Sequence, residues 1–223
     1  MAENNQFHPF PRTIIFLLRH GEIETGDVRK FVGQRDLPLT KAGFKQARIW
    51  QRELVHIRFD RIYTSDLPRC KDTANIMAAE RSTIVQEVSE LREINLGQWQ
   101  GVAVDEIRRL YPEEYERRGR DIANFRPPGG EAFSDLSDRV VPVFEQITEG
   151  LDGSVLIVCH SGVIRVILCR VLGLPLSKLL KLELDYGSLS IVQRAGEYFR
   201  LYAMNIPPVE GSVPPVNWPN STM

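Results

Sequence analysis

Two continuous apolar runs break an otherwise mixed chain. Thr13-Ile14-Ile15-Phe16-Leu17-Leu18 carries β-branched residues between Pro11 and Gly21, and Ser154-Val155-Leu156-Ile157-Val158-Cys159 repeats the pattern in the second half. Runs of this length without alternation read as strands covered on both faces. After the first run, Phe44, Ala47, Trp50 and Leu54 recur at helical spacing, and Thr40 is placed to cap the helix that they predict. Arg61–Thr64 reads as a short strand, and Asp66–Glu80 as a helix with Pro68 in its first turn. Gly162–Leu172 predicts an apolar helix that Gly173 and Pro175 end. Phe133, Leu136, Val140, Val143 and Ile147 mark an amphipathic helix, which Pro142 is expected to kink or restart. Final strands are predicted near Ser188–Val192 and Tyr198–Ala203. Strand and helix alternate, so the expected fold class is α/β, a three-layer αβα sandwich around a mostly parallel central sheet.

Residues 102–131 differ in texture. They are dense in charge, with Glu113, Glu114, Glu116, Arg117, Arg118 and Arg120, and they end in Pro127-Pro128-Gly129-Gly130. A small helical lid over a site would look like this, and so would a solvated helical excursion. One domain is expected over 12–203 with this insertion inside it, followed over 204–223 by an extended, proline-rich tail.

Composition narrows the partners. With 43% hydrophobic and 26% charged residues among 223, the chain is neither disordered nor membrane-spanning in type. The 28 basic residues are balanced by 29 acidic ones, which leaves no global positive field for nucleic acid or an anionic bilayer, so neither partner is expected. Cys70, Cys159 and Cys169 form no CxxC pair, which argues against a disulfide framework and points to a reducing compartment. Met1–Pro11 has no basic segment followed by an apolar one, so a cytoplasmic location is expected. A homodimer is compatible with all of this, but the oligomeric state is not legible.

Both apolar runs end in a histidine, as Leu18-Arg19-His20-Gly21 and as Val158-Cys159-His160-Ser161-Gly162. Ligands of open α/β sheets bind at the carboxyl edge of the strands, so His20 and His160 are expected to share one crevice. Arg19 adjoins the first histidine, and Arg69 lies just past another strand end in the first turn of a helix. Guanidinium forks and a helix N-terminus both suit phosphate oxygens, which makes a phosphoryl group the expected ligand. Paired histidines also serve metals. Here no two of them are close in sequence and the neighbouring arginines would repel a divalent cation, so no metal and no other cofactor is expected. A further rival is Cys159-x5-Arg165, the spacing of cysteine-dependent phosphatases. Val163-Ile164 read as helix rather than as an amide cradle, and Cys159 fits an inward position of a buried strand better.

These residues resemble the histidine phosphatase superfamily, of phosphoglycerate mutase-like fold. Leu18-Arg19-His20-Gly21-Glu22, Gly33 and Asp36-Leu37-Pro38-Leu39-Thr40-Lys41-Ala42-Gly43 are similar to its opening signature. Thr64-Ser65-Asp66-Leu67-Pro68-Arg69, Leu91-Arg92-Glu93-Ile94 and His160-Ser161-Gly162-Val163-Ile164-Arg165 resemble its later blocks. The resemblance implies a metal-independent phosphomonoesterase acting on a small phosphorylated metabolite. His20 would take up the phosphoryl group, Glu93 would protonate the leaving oxygen and then activate water, and Arg19, Arg69 and His160 would hold the phosphoryl oxygens. Gly33, Gln34, Ser161 and Gly162 are the expected substrate-binding residues.

Departures from the family pattern bear on the substrate. Ile23 and Gly26 stand where relatives commonly carry a threonine and an asparagine, so one side-chain contact to phosphate is missing or supplied otherwise. Gly130-Glu131-Ala132 replaces a Gly-Glu-Ser motif and loses a hydroxyl. Ser161 follows His160 where mutases usually have glycine, which favours water as final acceptor. The Pro-Pro-Gly-Gly-Glu run and Leu182-Asp185-Tyr186-Gly187 are most similar to the branch that cleaves α-ribazole 5′-phosphate in cobalamin assembly. A mutase, a sugar or amino-acid phosphatase, and a silent phospholigand-binding module remain the alternatives.

Overall fold

A computed structural model describes residues 11–26 and 28–213. The N-terminal stretch and the outer part of the expected tail, 1–10 and 214–223, lie outside them.

The first apolar run forms β1 (Arg12–Arg19) and the second forms β4 (Gly153–Cys159), each buried through its interior. They pair in parallel at the centre of a six-stranded sheet of order β3-β2-β4-β1-β5-β6, where β2 is Arg61–Thr64, β3 Val85–Glu87, β5 Leu189–Ala195 and β6 Tyr198–Ile206. β2 and β3 continue the parallel pairing, while β5 runs antiparallel to both β1 and β6. The sheet is therefore mixed, with β5 alone reversed.

Side chains alternate across β1 as strand geometry requires. Ile14, Phe16 and Leu18 pack with Trp50 of α1 (Lys41–Glu53) and with Cys70, Ala74 and Met77 of α2 (Pro68–Ala78). Ile15 and Leu17 pack on the other face with residues of α5 (Phe133–Thr148) and α6 (Ser161–Leu172). Fully burying such side chains contributes roughly 1.5–3 kcal/mol each, which anchors the strand whose end carries His20.

The helix signals act as expected at the ends. Thr40 accepts from Gly43 N at 3.0 Å, and Gly173 closes α6 in the left-handed conformation at φ 63°. α5 is one helix through Pro142, which is exposed, so the chain does not restart there. Its buried stripe is Phe133, Leu136, Val140, Phe144 and Thr148, with the expected Val143 and Ile147 only half-buried beside it. With Ala132 in place of a hydroxyl-bearing cap, Asp135 accepts from Ala132 N at 2.7 Å and Ser134 N donates to Ala123 O at 2.9 Å at that end.

The charged insertion contains α3 (Val104–Leu110) and α4 (Pro112–Arg120). It is stitched to the loop after β1: Phe31 N donates to Val102 O at 3.0 Å and Val104 N to Arg29 O at 3.0 Å. At the other end, β6 continues to Ile206, and residues 207–213 fold back on α1, where Gly211 N donates to Glu53 Oε2 at 2.9 Å.

Candidate active site

The parallel register sets Arg19 level with Cys159, so the histidines that follow leave the sheet side by side. His20 N donates to Cys159 O at 3.0 Å and His20 O accepts from Gly187 N at 3.0 Å, which fixes the backbone of the first. Gly21 then passes so close to Gly43 that a Cβ would lie 2.5 Å from Gly43 O, while a Cβ on Gly43 would lie 2.2 Å from Glu22 O. Two glycines thus let the loop seat against the first turn of α1. His160 is the N-terminal cap residue of α6, and its ring lies 5.2 Å from that of His20, edge to face. The expected convergence of the two histidines is present.

Both rings are buried, at 3% exposure for His20 and 0% for His160. Burial first, then the positive charges of Arg69 and Arg19, hold His20 well below the ordinary histidine range. His160 is lowered in the same way by burial, Arg69, His20 and Arg19. The imidazoles are therefore neutral near pH 7. The ring nitrogen Nδ1 of His20 lies 2.8 Å from Gly21 O. A carbonyl only accepts, so the proton resides on Nδ1 and the Nε2 lone pair is left available.

Arg69, 1% exposed at the start of α2, spreads its fork over three partners. Nη1 donates to Arg35 O at 2.7 Å, Nη2 to Gly33 O at 2.8 Å, and Nε to His160 Nδ1 at 3.3 Å. That leaves Nε2 of His160 carrying the proton, which it donates to Ser65 Oγ at 2.9 Å. Both nitrogens of His160 thus have partners within the protein, beside the ring of His20. Arg19 stacks on Tyr186, its guanidinium carbon 3.8 Å from the ring centroid, and donates to Leu184 O at 2.7 Å. Its Nε is buried without a partner among the described residues. The ring of Tyr186 is also 5.6 Å from that of His20.

Glu93 reaches the same place from the other side. Its carboxylate accepts from Ile94 N at 2.9 Å, Gly162 N at 3.1 Å and Ser161 Oγ at 3.4 Å. A Cβ on Gly162 would lie 2.2 Å from Glu93 Oε1, so this first turn of α6 must be bare for the carboxylate to fit. Behind it, Arg139 of α5 donates to the carbonyls of Glu90, Arg92 and Glu93 and is paired with Glu131. Gln34 turns inward as well: Nε2 donates to Glu93 O at 2.9 Å and its backbone N to Gln100 Oε1 at 2.6 Å.

A cleft of about 590 Å³ opens over this floor. Arg19, His20, Gly33, Arg69, Glu93, Ser161 and Gly162 line it, together with Tyr186 and Arg165. Of the expected substrate-binding set, Gly33, Ser161 and Gly162 border the cleft, whereas the side chain of Gln34 braces the Glu93 segment. Ile23 and Gly26 border it too, so the two departures from the family pattern fall in the cleft wall. Val104, Tyr115 and Arg118 of the insertion complete the wall. Cys159 is fully buried in the core shared with α5 and α6, and burial pushes its thiol well above the ordinary range, so it is not poised as a nucleophile. Ser65 and Tyr186 stood in blocks that resemble the family but were given no role, and Arg139 carried no local signal in the sequence. Each takes its place through partners distant in the chain.

Comparison with known proteins agrees with this geometry. The model of the histidine phosphatase superfamily (branch 1) matches residues 15–207. Phosphoserine phosphatase 1 of Hydrogenobacter thermophilus is 31% identical, over 80% of this chain and 85% of its own. A probable phosphoglycerate mutase of Serratia proteamaculans is 35% identical, over 80% and 83%. Among solved structures, a putative α-ribazole-5′-P phosphatase of Escherichia coli superposes with a TM-score of 0.80 at 27% identity, covering 86% of this chain and 96% of its own. The chain belongs to the histidine phosphatase superfamily, branch 1, and is a phosphatase-type hydrolase.

Proposed function

We propose that this chain is a metal-independent phosphomonoesterase that cleaves a small phosphorylated metabolite through a phosphohistidine on His20. The observation that carries this is the state of His20: neutral, its proton tied to Gly21 O, and its remaining nitrogen lone pair at the floor of a cationic cleft. In the first step that lone pair attacks phosphorus, the P–N bond forms, and the bond to the ester oxygen breaks. Glu93 delivers a proton to the departing oxygen. In the second step Glu93 takes a proton from water, the oxygen of that water attacks phosphorus, and the P–N bond breaks to release phosphate. Arg19 and Arg69 stabilise the charge that moves during transfer. His160, whose ring lies 5.2 Å from that of His20 and which accepts from Arg69 Nε, joins them in holding the phosphoryl oxygens.

The names of the relatives supply the first esters to try: α-ribazole 5′-phosphate, O-phosphoserine and 3-phosphoglycerate. We place the enzyme in the cytoplasm, a location supported by three free, buried cysteines; no helix among the described residues is long and apolar enough to cross a membrane. The test is phosphate release from this panel in the presence of EDTA, with acid quenching to trap the covalent species. Turnover that persists in EDTA, an acid-labile and alkali-stable adduct, and loss of at least about 10⁴-fold in kcat/KM for His20→Ala are expected. Activity abolished by EDTA, or an adduct on Cys159, overturns the proposal. An isomerised ester without released phosphate makes the protein a mutase.

A further inference from the structure

The two arginines beside His20 are held in different ways. Arg69 is buried, and its nitrogens are spent on Arg35 O, Gly33 O and His160 Nδ1. Arg19 is half-buried, and among the described residues its guanidinium makes one hydrogen bond, from Nη1 to Leu184 O at 2.7 Å. No carboxylate of the described residues stands within ion-pair distance of it. Burial works most strongly against its charge, and Tyr186 and then Glu93 favour that charge.

What fixes Arg19 is the segment from Leu184 to Ser188. Leu184 supplies the carbonyl, and the ring centroid of Tyr186 lies 3.8 Å from the guanidinium carbon. Arg19 N donates to Ser188 O and Gly187 N to His20 O, each at 3.0 Å, so the same segment holds the main chain of both residues. The segment is itself pinned: Trp50 Nε1 donates to Gly187 O at 2.6 Å, and Asp185 N to Asn205 Oδ1 at 2.7 Å. Stacking occupies the face of a guanidinium and leaves the N–H groups of its edge for oxygens in its plane. The Nε of Arg19 is buried without a partner among the described residues, and the ring behind it borders the cleft, 5.6 Å from the ring of His20. Glu93 and Asp185 both attract Arg19 from a distance, so a guanidinium released from the ring would turn toward a carboxylate. Pairing with Glu93 would take the acid and the phosphoryl clamp out of use together.

On the basis of the phosphatase reading above, we infer that Tyr186 is a positioning residue for the reaction: the face of its ring, rather than its hydroxyl, keeps the guanidinium of Arg19 edge-on to the phosphoryl group and apart from Glu93.

A double-substitution cycle tests this with two readouts, calorimetric binding of orthovanadate and kcat/KM for 4-nitrophenyl phosphate. Tyr186→Leu should weaken orthovanadate binding about tenfold and lower kcat/KM about thirtyfold, while Tyr186→Phe, which keeps the face and loses the hydroxyl, should recover both to within about threefold of the native protein. In the Arg19→Ala protein the same Tyr186→Leu exchange should change either readout by less than about threefold, because no guanidinium remains to be held. Melting temperatures identify a variant that fails to fold, in which case Tyr186→Met takes the place of Tyr186→Leu. Equal losses with and without Arg19, a Tyr186→Phe protein as impaired as Tyr186→Leu, or no loss at all overturns the inference. Native protein that binds orthovanadate but releases no phosphate from any ester sinks the phosphatase reading, and the binding cycle still decides the role of Tyr186. Phosphate release with additive losses does the reverse.

Discussion

His20 and His160 stand at the ends of β1 and β4, strands buried through their interiors and paired on both sides. Arg118 and Tyr115 stand on α4, a nine-residue helix with no buried residue. The floor of the cleft inherits its geometry from the hydrophobic core, so its groups are placed by packing that the whole domain shares. The outer wall is anchored to the core by Ile107 and Ile122 and otherwise held by a few backbone hydrogen bonds to the loop at 29–31 and by ring contacts. Substitutions in the floor should therefore disturb chemistry or folding, and substitutions in the wall should change which ester is chosen while leaving stability alone.

With His20 left in place, the largest expected effect is at Gly162. Gly162→Ala puts a methyl group where Glu93 Oε1 lies and displaces the carboxylate, so kcat should fall about 10²-fold with KM little changed, as steady-state kinetics would show. An unchanged kcat would mean that Glu93 need not sit against α6. Next is Gly21→Ala, where backbone rather than a flexible side-chain end must yield. A loss of about 2 kcal/mol in urea denaturation is expected.

The buried histidines then give the floor a pH signature. Their folded-state affinity for protons lies below the unfolded value near 6.5, so the unfolded chain binds more protons and stability falls as pH drops below about 6.5. Each contributes up to about 1.4 kcal/mol per pH unit in that window, and His160→Gln should halve the slope between pH 6.5 and 5.5. Asp66 and Asp135, held low by Arg92 and Arg126, lose their contribution only at more acid pH. The smallest effect belongs to the wall: Arg120→Ala breaks an exposed pair with Glu116 and should cost less than about 0.5 kcal/mol without altering kcat/KM. A larger loss would mean that the exposed face of α4 also bears on folding and would end the contrast.

The same division explains what the chain discloses when read as letters. β1, β4, α1, α2 and α6 are legible because uninterrupted apolar runs, Thr40, Pro68 and Gly173 are local signals. β3 is not, being three residues at the sheet edge with Val85 half-buried and its neighbours exposed. The stripe of α5 is misread by one position because Val143 and Phe144 are both apolar and only packing against α6 selects Phe144. That the histidines converge follows from strand ends. Which way His160 faces depends on Arg69 and Ser65, which come from another strand-to-helix turn. That Arg29, Arg118 and Arg165 border one cleft is not legible, because they come from three separate elements that only the fold brings together.

The central place of β1 between β4 and β5 has a consequence for how the enzyme fails. Its amides are bonded on both flanks, so their exchange with deuterated solvent requires the opening of the entire domain rather than local fraying. The proposed nucleophile, His20, rides on the last segment to come apart. Heat should consequently inactivate this protein in step with its global melting, while the amides of α3 and α4 exchange well before catalysis is lost.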